Sequence, residues 1–229
     1  HYPRDEMVHV RFALPAVQHA QEMLSACIPN DQVEYVSADE MPPESERLDW
    51  LVRQERPALA RITVSNVHPD FMHVLAFGNG AKAGTNRAWA THPELVLLAR
   101  YAKVEVHGAY LFGAYTYLPE SCQLPRFTTM QAMTPTAEII ASNHWIGLCR
   151  ENCYRLEMKA TEHRMHSARA AWLCATDRLI MFTYALQLHA AGIVVRKYGA
   201  GAVTVVVPKH NYREIYERAT SIGLLAPLQ

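Results

Sequence analysis

The segment from Ile193 to Val207 constrains the fold of this chain more than any other part of the sequence. It consists of two runs rich in valine, which are separated by Gly199, Ala200 and Gly201. Branched side chains favour a pleated strand, and glycine readily supplies the positive φ angles that a tight hairpin turn needs. The segment therefore predicts a buried β-hairpin, and the tip of this hairpin has no reactive side chain.

The overall composition is that of a globular protein without a strong charge. The chain has 229 residues, 50% of them hydrophobic, and a formal net charge of +0. This length allows a packed core without disulfide bonds, and any contact with DNA or RNA must be local. The sequence has neither a signal-peptide pattern nor a membrane span. Its five irregularly spaced cysteines favour an intracellular, reducing compartment. The start at His1 indicates a processed product or part of a longer chain.

The order of the predicted elements indicates an α+β fold in which mostly antiparallel strands pack against helices. The predicted helices cover residues 12–26, 48–52, 95–102, 136–191 with a break near 160–168, and 212–221. The predicted strands cover residues 59–67, 71–77 and 104–112 in addition to the hairpin. Residues 37–47 are acidic and rich in proline, so we expect a loop excursion there. Prolines also make residues 119–136 irregular. We expect residues 1–229 to form a single domain.

Four metal-binding side chains occur at short spacings in the second half of the chain. Cys149 and Cys153, followed by His163 and His166, superficially resemble a zinc set, because thiolate and imidazole ligands can complete a tetrahedron. The spacing is not that of a standard zinc finger, and a buried cysteine usually behaves as a small hydrophobic residue. These four residues are weak metal candidates, and the sequence predicts no cofactor.

The sequence lacks the short motifs of the commonest catalytic sites. It contains no G-x-S-x-G nucleophile elbow, no Walker phosphate loop and no G-x-G-x-x-G dinucleotide fingerprint. Each of these motifs places a nucleophile or a phosphate-binding backbone at a fixed position. Hydrolases and nucleotide-binding folds of these types therefore have no local support in this chain.

Basic residues near the hairpin are the candidates for contact with nucleic acid. Arg196 and Lys197 precede the tip, Tyr198 follows them, and Lys209 and Arg213 lie beyond the second strand. If these side chains are grouped in space, they can neutralise phosphates, and each such contact adds a salt-sensitive increment to the affinity. The alternative is that they are solvated ends of a strand and a helix.

Three short stretches occur in a characteristic order along the chain. The first stretch is His1-Tyr2-Pro3. The second is Trp-Ala-Thr-His-Pro-Glu-Leu at residues 89–95, followed by Val-Glu-Val-His at residues 104–107. The third is Ala-Thr-Asp-Arg at residues 175–178, which precedes the hairpin. In this order they resemble the palm of family B DNA polymerases, especially the protein-primed and mobile-element types. That family has an Asp-x-x-Ser-x-Tyr-Pro motif, a Trp-x-Thr-x-Pro-Glu-Leu segment, and a helix before a Tyr-x-Asp-Thr-Asp-Ser hairpin. The resemblance implies an irregular or reduced fingers-like region at 119–166.

The hairpin tip departs from the family at the positions that matter for catalysis. Family members hold two Mg²⁺ ions with aspartates from the first motif and from the tip, and these ions stabilise phosphoryl transfer. Ala200 and Ala202 stand at the two tip positions, and neither side chain has a ligand atom. The Asp of the first motif would precede His1. The resemblance therefore implies a palm without catalytic metal sites, in which Mg²⁺ would bind only if the aspartates were restored.

The leading hypothesis is a catalytically inactive polymerase-like protein in a replication or mobile-element complex. Its ligand would be DNA, primed or single-stranded, and a protein partner or the rest of a larger chain could complete the assembly. One alternative is an active polymerase fragment with an engineered tip, and another is a protein-interaction module of unrelated α+β fold. The leading hypothesis predicts that the hairpin lies in an antiparallel sheet beside residues 59–67 and the start of the chain, backed by the helix over 168–191.

Overall fold

The structure is a computed structural model that describes residues 6–30, 32–68, 86–118, 134–158 and 168–226. Its strands are β1 (Met7–Ala13), β2 (Ile28–Pro29), β3 (Val33–Ser37), β4 (Ala58–Ser65), β5 (Asn86–Thr91), β6 (Lys103–Phe112), β7 (Tyr115–Thr116), β8 (Val194–Gly199) and β9 (Ala202–Pro208). Its α-helices are α1 (Ala16–Ser25), α2 (Arg47–Val52), α3 (His92–Leu98), α4 (Pro135–Met158), α5 (Ala168–Ala190) and α6 (Tyr212–Ser221). All strand pairs are antiparallel, so the predicted α+β class is confirmed.

The contacts divide the chain into two compact units. The first unit comprises His1–Met23, Gln123–Leu148 and Asp177–Gln229, and the second comprises Leu24–Cys122 and Cys149–Thr176. The expected single domain over residues 1–229 stays a prediction. Among the described residues, no helix combines the length and the hydrophobicity needed to cross a membrane.

The first unit contains the predicted hairpin in a three-stranded sheet of order β1-β9-β8. On β9, Val203, Val205 and Val207 are fully buried, as the alternation of a strand with one covered face requires. Strand β1 runs along β9 in unbroken register, so that Ala13 lies opposite Ala202. The ring of Phe182 on α5 packs against Tyr198 of β8. The hairpin, its position beside the start of the chain and its contact with the helix over 168–191 are all confirmed.

The second unit contains a four-stranded sheet of order β3-β6-β4-β5 and a two-stranded sheet of β2 and β7. The prediction that residues 59–67 lie beside the hairpin is therefore wrong. Strand β4 is central in its own sheet, with β5 on one edge and β6 on the other, so both of its hydrogen-bonding edges are already occupied. The central position also explains why β4 is buried on both faces except at the exposed Arg61 and the partly exposed Ser65, although its sequence pattern suggested a half-buried strand.

The helices follow the predicted pattern with shifted boundaries. The expected capping box is present, because Glu94 accepts the backbone N–H of Thr91 at 2.9 Å, and α3 therefore begins at His92 rather than at Leu95. Residues 37–47 contain two short 3-10 turns and the start of α2. Of the region 119–166, the described part is the helix α4, and residues 119–133 and 159–166 lie outside the described residues, as does the predicted strand over 71–77. Helix α6 occupies the predicted range 212–221.

Candidate functional site at the hairpin tip

The tip of the hairpin is a two-residue turn in an unusual backbone conformation. Gly199 pairs with Ala202, and the connecting residues Ala200 and Gly201 both have positive φ angles, of 54° and 70°. Positive φ at both central residues is the requirement of a type I′ hairpin turn, which matches the twist of the flanking strands. An alanine in this region costs about 1 kcal/mol, so contacts from outside the turn are needed to stabilise it.

A carboxylate from helix α5 supplies those contacts. Asp177 Oδ2 accepts the backbone N–H of Ala200 at 2.6 Å, and Oδ1 accepts that of Gly201 at 3.2 Å. Oδ1 also lies 2.8 Å from Nε2 of His19 on α1. Both side chains are enclosed, with His19 at 0% and Asp177 at 7% exposure. Asp177 therefore ties the turn to two helices through three hydrogen bonds, and each of these bonds is strengthened by its charge.

Gly201 is required by its surroundings as well as by its φ angle. A Cβ atom at this position would lie 2.8 Å from both Cβ and Oγ of Ser142, and 3.5 Å from Nδ1 of His19. The Ser142 hydroxyl and His19 Nδ1 are buried polar atoms without a hydrogen-bond partner among the described residues. The turn is thus packed directly on α4 and α1, and a larger residue at 201 would push these helices away.

Ser142, His19 and Asp177 are the residue types of an acyl-transfer triad, but their arrangement excludes that chemistry. Ser142 Oγ makes no hydrogen bond to His19, whereas nucleophilic serine needs a base within hydrogen-bond reach. The serine and the histidine are 1% and 0% exposed, so no substrate can approach either of them. The cluster is a structural support of the hairpin.

Family B DNA polymerases, which the sequence resembles, have metal-binding aspartates at two positions of this hairpin tip, and here neither position has a side chain that can bind a metal ion. Ala202 is 3% exposed and packs with Ala13, Ile139 and Leu225 in a small apolar cluster. Ala200 is partly exposed at the turn. Both oxygens of Asp177 are engaged by hydrogen bonds, and the described residues contain no group of three or more side chains that could hold a metal ion.

Helix α1 is anchored near the tip by two further polar contacts. Glu138 on α4 accepts the backbone N–H of Ala16 at 2.7 Å, which satisfies one of the open donors in the first turn of α1. At the other end of the helix, the Tyr184 hydroxyl donates to Glu22 at 2.8 Å. Burial, followed by this hydrogen bond and the charge of Glu22, raises the pKa of Tyr184 to about 12. The helix that presents His19 is therefore fixed at both ends.

The structure separates the predicted nucleic-acid-binding residues into two groups. Arg196 and Lys197 are exposed on the edge strand β8, where a register shift between Val195 and Lys197 leaves Arg196 as a bulge. Lys209 and Arg213 follow the far end of β9. Lys197 lies opposite Thr204, and the five residues from there to Lys209 span about 17 Å along a strand. The four cations do not form one cluster.

Two predicted contact residues have other partners in the structure. Tyr198 is 4% exposed, and its ring centroid lies 5.7 Å from that of Phe182. Its ring is therefore a core group of the hairpin, and its predicted contact with nucleic acid stays a prediction. Arg213 is exposed and pairs with Glu217 at 3.1 Å, so part of its charge is already offset.

The proposed zinc residues are only partly described. Cys149 is 1% exposed, in agreement with a cysteine that acts as a small hydrophobic residue. The side chain of Cys153 and both His163 and His166 lie outside the described residues, so this weak metal candidate stays a prediction.

Sequence analysis missed the most important residues of this site. His19 and Asp177 lie 158 positions apart, and no local pattern connects two such residues. Asp177 belongs to the Ala-Thr-Asp-Arg element that contributed to the family resemblance, but its role as the acceptor for the tip was not predicted. A buried aspartate on a strongly apolar helix was the available signal, because an ionised carboxylate is rarely enclosed without partners.

The fold resembles that of part of a DNA polymerase. It is similar to Phi29 DNA polymerase complexed with single-stranded DNA, with a TM-score of 0.54 and 11% identity over 87% of this chain and 38% of that chain. The same polymerase complexed with primer-template DNA and incoming nucleotide gives a TM-score of 0.50 and 10% identity over 87% of this chain and 39% of that chain. No protein-family model and no curated protein sequence matches. The chain spans less than half of the polymerase, and this likeness shows the fold alone.

Proposed function

We propose that this chain is a catalytically inactive relative of family B DNA polymerases, corresponding to their palm, that binds DNA within a replication or mobile-element complex. The observation that supports this proposal most directly is the hairpin tip. Its two ligand positions are Ala200 and Ala202, and its backbone is held by Asp177 instead of by residues that face a metal ion.

The absence of catalysis follows from the chemistry of nucleotide addition. Two Mg²⁺ ions neutralise the triphosphate and stabilise the attacking and leaving oxygens, and carboxylates must hold these ions in place. Ala13 and Ala202 lie opposite each other where β1 meets the tip, and both are buried in apolar contacts. Polymerase folds can persist without catalysis, because the fold depends on core packing whereas the activity depends on a few site residues.

The alternative of an active fragment with an engineered tip has less support. An aspartate at 202 would place a carboxylate among Ala13, Ile139 and Leu225, and burial of an unpaired charge is costly. The polymerase-like fold also counts against an interaction module of unrelated fold.

DNA is the ligand that the exposed cations and the fold favour. The two solved structures named above are complexes with DNA. In this chain Arg196 projects from a bulge on an exposed edge strand, next to the exposed Lys197. A bulge re-aims a side chain, and this geometry supports the proposal that the pair contacts phosphates.

A salt titration of DNA binding tests this proposal. Fluorescence anisotropy with a primed template should show binding at low ionic strength, and the affinity should fall as salt rises. Arg196→Gln combined with Lys197→Gln should make the log–log salt slope shallower by about 2, because each phosphate contact contributes about 0.9. Arg53→Gln combined with Arg100→Gln removes the same charge from other exposed positions and should leave the slope nearly unchanged. Absence of binding at low salt would refute DNA binding.

An activity assay tests the other half of the proposal. Neither the original chain nor the double variant Ala200→Asp, Ala202→Asp should extend a labelled primer in the presence of Mg²⁺ and nucleotides. Extension by the double variant would instead support a polymerase whose tip was altered, and extension by the original chain would refute inactivity outright.

A further inference from the structure

Three aromatic rings from three strands of the second unit lie side by side on one face of its four-stranded sheet. The ring centroids of Tyr35 on β3 and Tyr110 on β6 are 5.1 Å apart, with an interplanar angle of 57°. Trp89 on β5 stacks on Tyr110 with centroids 5.4 Å apart and an angle of 27°. Tyr35 is 48% exposed and Trp89 is 39% exposed. We call these three residues the aromatic platform.

The strand register places the aromatic platform on a single face. Tyr35 lies opposite Tyr110, and Tyr110 lies opposite Leu59. Trp89 lies opposite Arg61, which is two residues from Leu59 and therefore on the same side of β4. The rings of Trp89 and Tyr110 meet over β4, which lies between their strands.

The face opposite the aromatic platform has a continuous row of fully buried residues. Alternate residues of β4, namely Ala58, Ala60, Ile62 and Val64, are fully buried, and helices α2 and α3 pack against the sheet. Leu59 and Thr63, on the side of the aromatic platform, are also buried, but Tyr35 and Trp89 stay exposed, and their rings are not needed to complete the core of the opposite face.

Gly108 makes the position of Tyr35 possible. Its Cα lies opposite both Ser37 and Arg61 in the register, and a side chain at this position would collide with the Tyr35 hydroxyl. The Tyr35 ring therefore rests directly on the backbone of β6 beside Tyr110. This close approach fixes an exposed ring that a longer side chain at 108 would displace.

Cations accompany the rings on this face. Arg61 is exposed and lies opposite Trp89, and Lys103 lies opposite Ser65, which is on the same side of β4 as Arg61. The acidic residue of the face, Glu105 opposite Thr63, is paired with Lys103 at 3.1 Å. The charge near the aromatic platform is therefore positive.

We propose that the aromatic platform, together with Arg61, binds single-stranded nucleic acid by base stacking. Flat rings accept any base on their faces, and neighbouring arginines meet the phosphates, which is the usual combination in single-strand binding. The proposal rests on the proposed DNA-binding function and adds a site separate from the hairpin cations.

The test is anisotropy with a short fluorescein-labelled oligothymidylate that has no duplex portion. Trp89→Ala and Tyr35→Ala should each weaken binding about 5- to 150-fold, the range that corresponds to the loss of one stacked base. Trp89→Phe keeps a ring and should retain most of the affinity. Tyr117→Ala removes a ring that is 64% exposed but outside the platform, and it should have no effect. Arg61→Gln should make the log–log salt slope shallower by about 0.7.

The outcomes separate this inference from the broader proposal. If the chain binds primed DNA through Arg196 and Lys197 but the Trp89→Ala and Tyr35→Ala variants bind the oligothymidylate normally, the aromatic platform is not the binding site and DNA binding stands. The same result would favour a protein partner, because aromatic and arginine side chains also form hot spots in protein interfaces. If the chain binds neither probe at low salt, both proposals are refuted. Unchanged circular dichroism spectra and melting temperatures in the variants exclude unfolding as the cause of a loss.

Discussion

Replacement of Asp177 by alanine is the perturbation that tests the structure of the tip most directly. Asp177 accepts hydrogen bonds from the backbone N–H groups of Ala200 and Gly201 and from the ring of His19. Asp177→Ala removes all three acceptors at once. The N–H of Gly201 and the ring of His19 remain buried, whereas the N–H of Ala200 is at a partly exposed position and can bind water.

The expected loss of stability follows from those two buried donors. A hydrogen bond to a charged group contributes about 1.5–3 kcal/mol, and the substitution removes two such bonds from buried donors. We therefore expect the free energy of unfolding to fall by about 3–5 kcal/mol. For a chain of this size, this loss lowers the melting temperature by roughly 6–20 °C. Asp177→Asn should cost less, since its amide oxygen still accepts one of the three bonds.

Urea denaturation followed by circular dichroism measures the loss. Asp39→Ala is the matched control, because Asp39 is an exposed aspartate and its removal should change stability by no more than about 0.5 kcal/mol. Amide hydrogen exchange should also become faster at residues 200 and 201 in the Asp177 variant. A loss below about 1 kcal/mol with unchanged exchange at the tip would refute the conclusion that Asp177 stabilises the turn.

Two further substitutions test the surroundings of the tip. Gly201→Ala should destabilise the chain by about 2–4 kcal/mol, because of the close contact with Ser142 and the positive φ angle. Gly192→Ala is the control: Gly192 has a φ angle of +80° and no neighbour within 4 Å of an added Cβ, so its replacement should cost only about 1 kcal/mol. Equal losses of stability in urea denaturation would contradict the packing argument. Tyr184 has a folded pKa of about 12, above its ordinary value of 10.0, so its stabilising contribution is fully present below pH 10 and is lost as the pH rises through about 12. Tyr184→Phe should therefore lose less stability than the original chain across this interval in urea denaturation, and parallel curves would contradict the prediction.

Elements defined by neighbouring residues were predictable from the sequence. The hairpin follows from branched residues around a Gly-Ala-Gly turn, and α6 follows from its amphipathic spacing and its end near Gly223. Strand β1 was missed although the signal was present: His9 and Arg11 are exposed and alternate with Val10 and Phe12, which are buried. The predicted helix over residues 12–26 included Phe12, so the alternating pattern that ends at this residue was not recognised as a strand.

Contacts between distant segments were not predictable in the same way. Whether β4 pairs with the hairpin or with β5 and β6 depends on which strand edges remain open after folding, and periodicity contains no information on this choice. The aromatic platform was missed for the same reason. Tyr35, Trp89 and Tyr110 are far apart in the sequence, and they become one surface only through the order of the strands in the sheet.

The conformation of the tip connects its chemistry to the proposed loss of catalysis. A hairpin that holds metal ions must direct side-chain oxygens outward from the turn, and the ions themselves then offset the charge of those oxygens. Here the single carboxylate at the turn is directed toward the backbone N–H groups, and its charge is offset by those donors and by His19. The turn is therefore complete without a cation. Asp177 stabilises the positive φ angles at Ala200 and Gly201, and under the proposed function this contact would keep the hairpin in place without metal-binding residues.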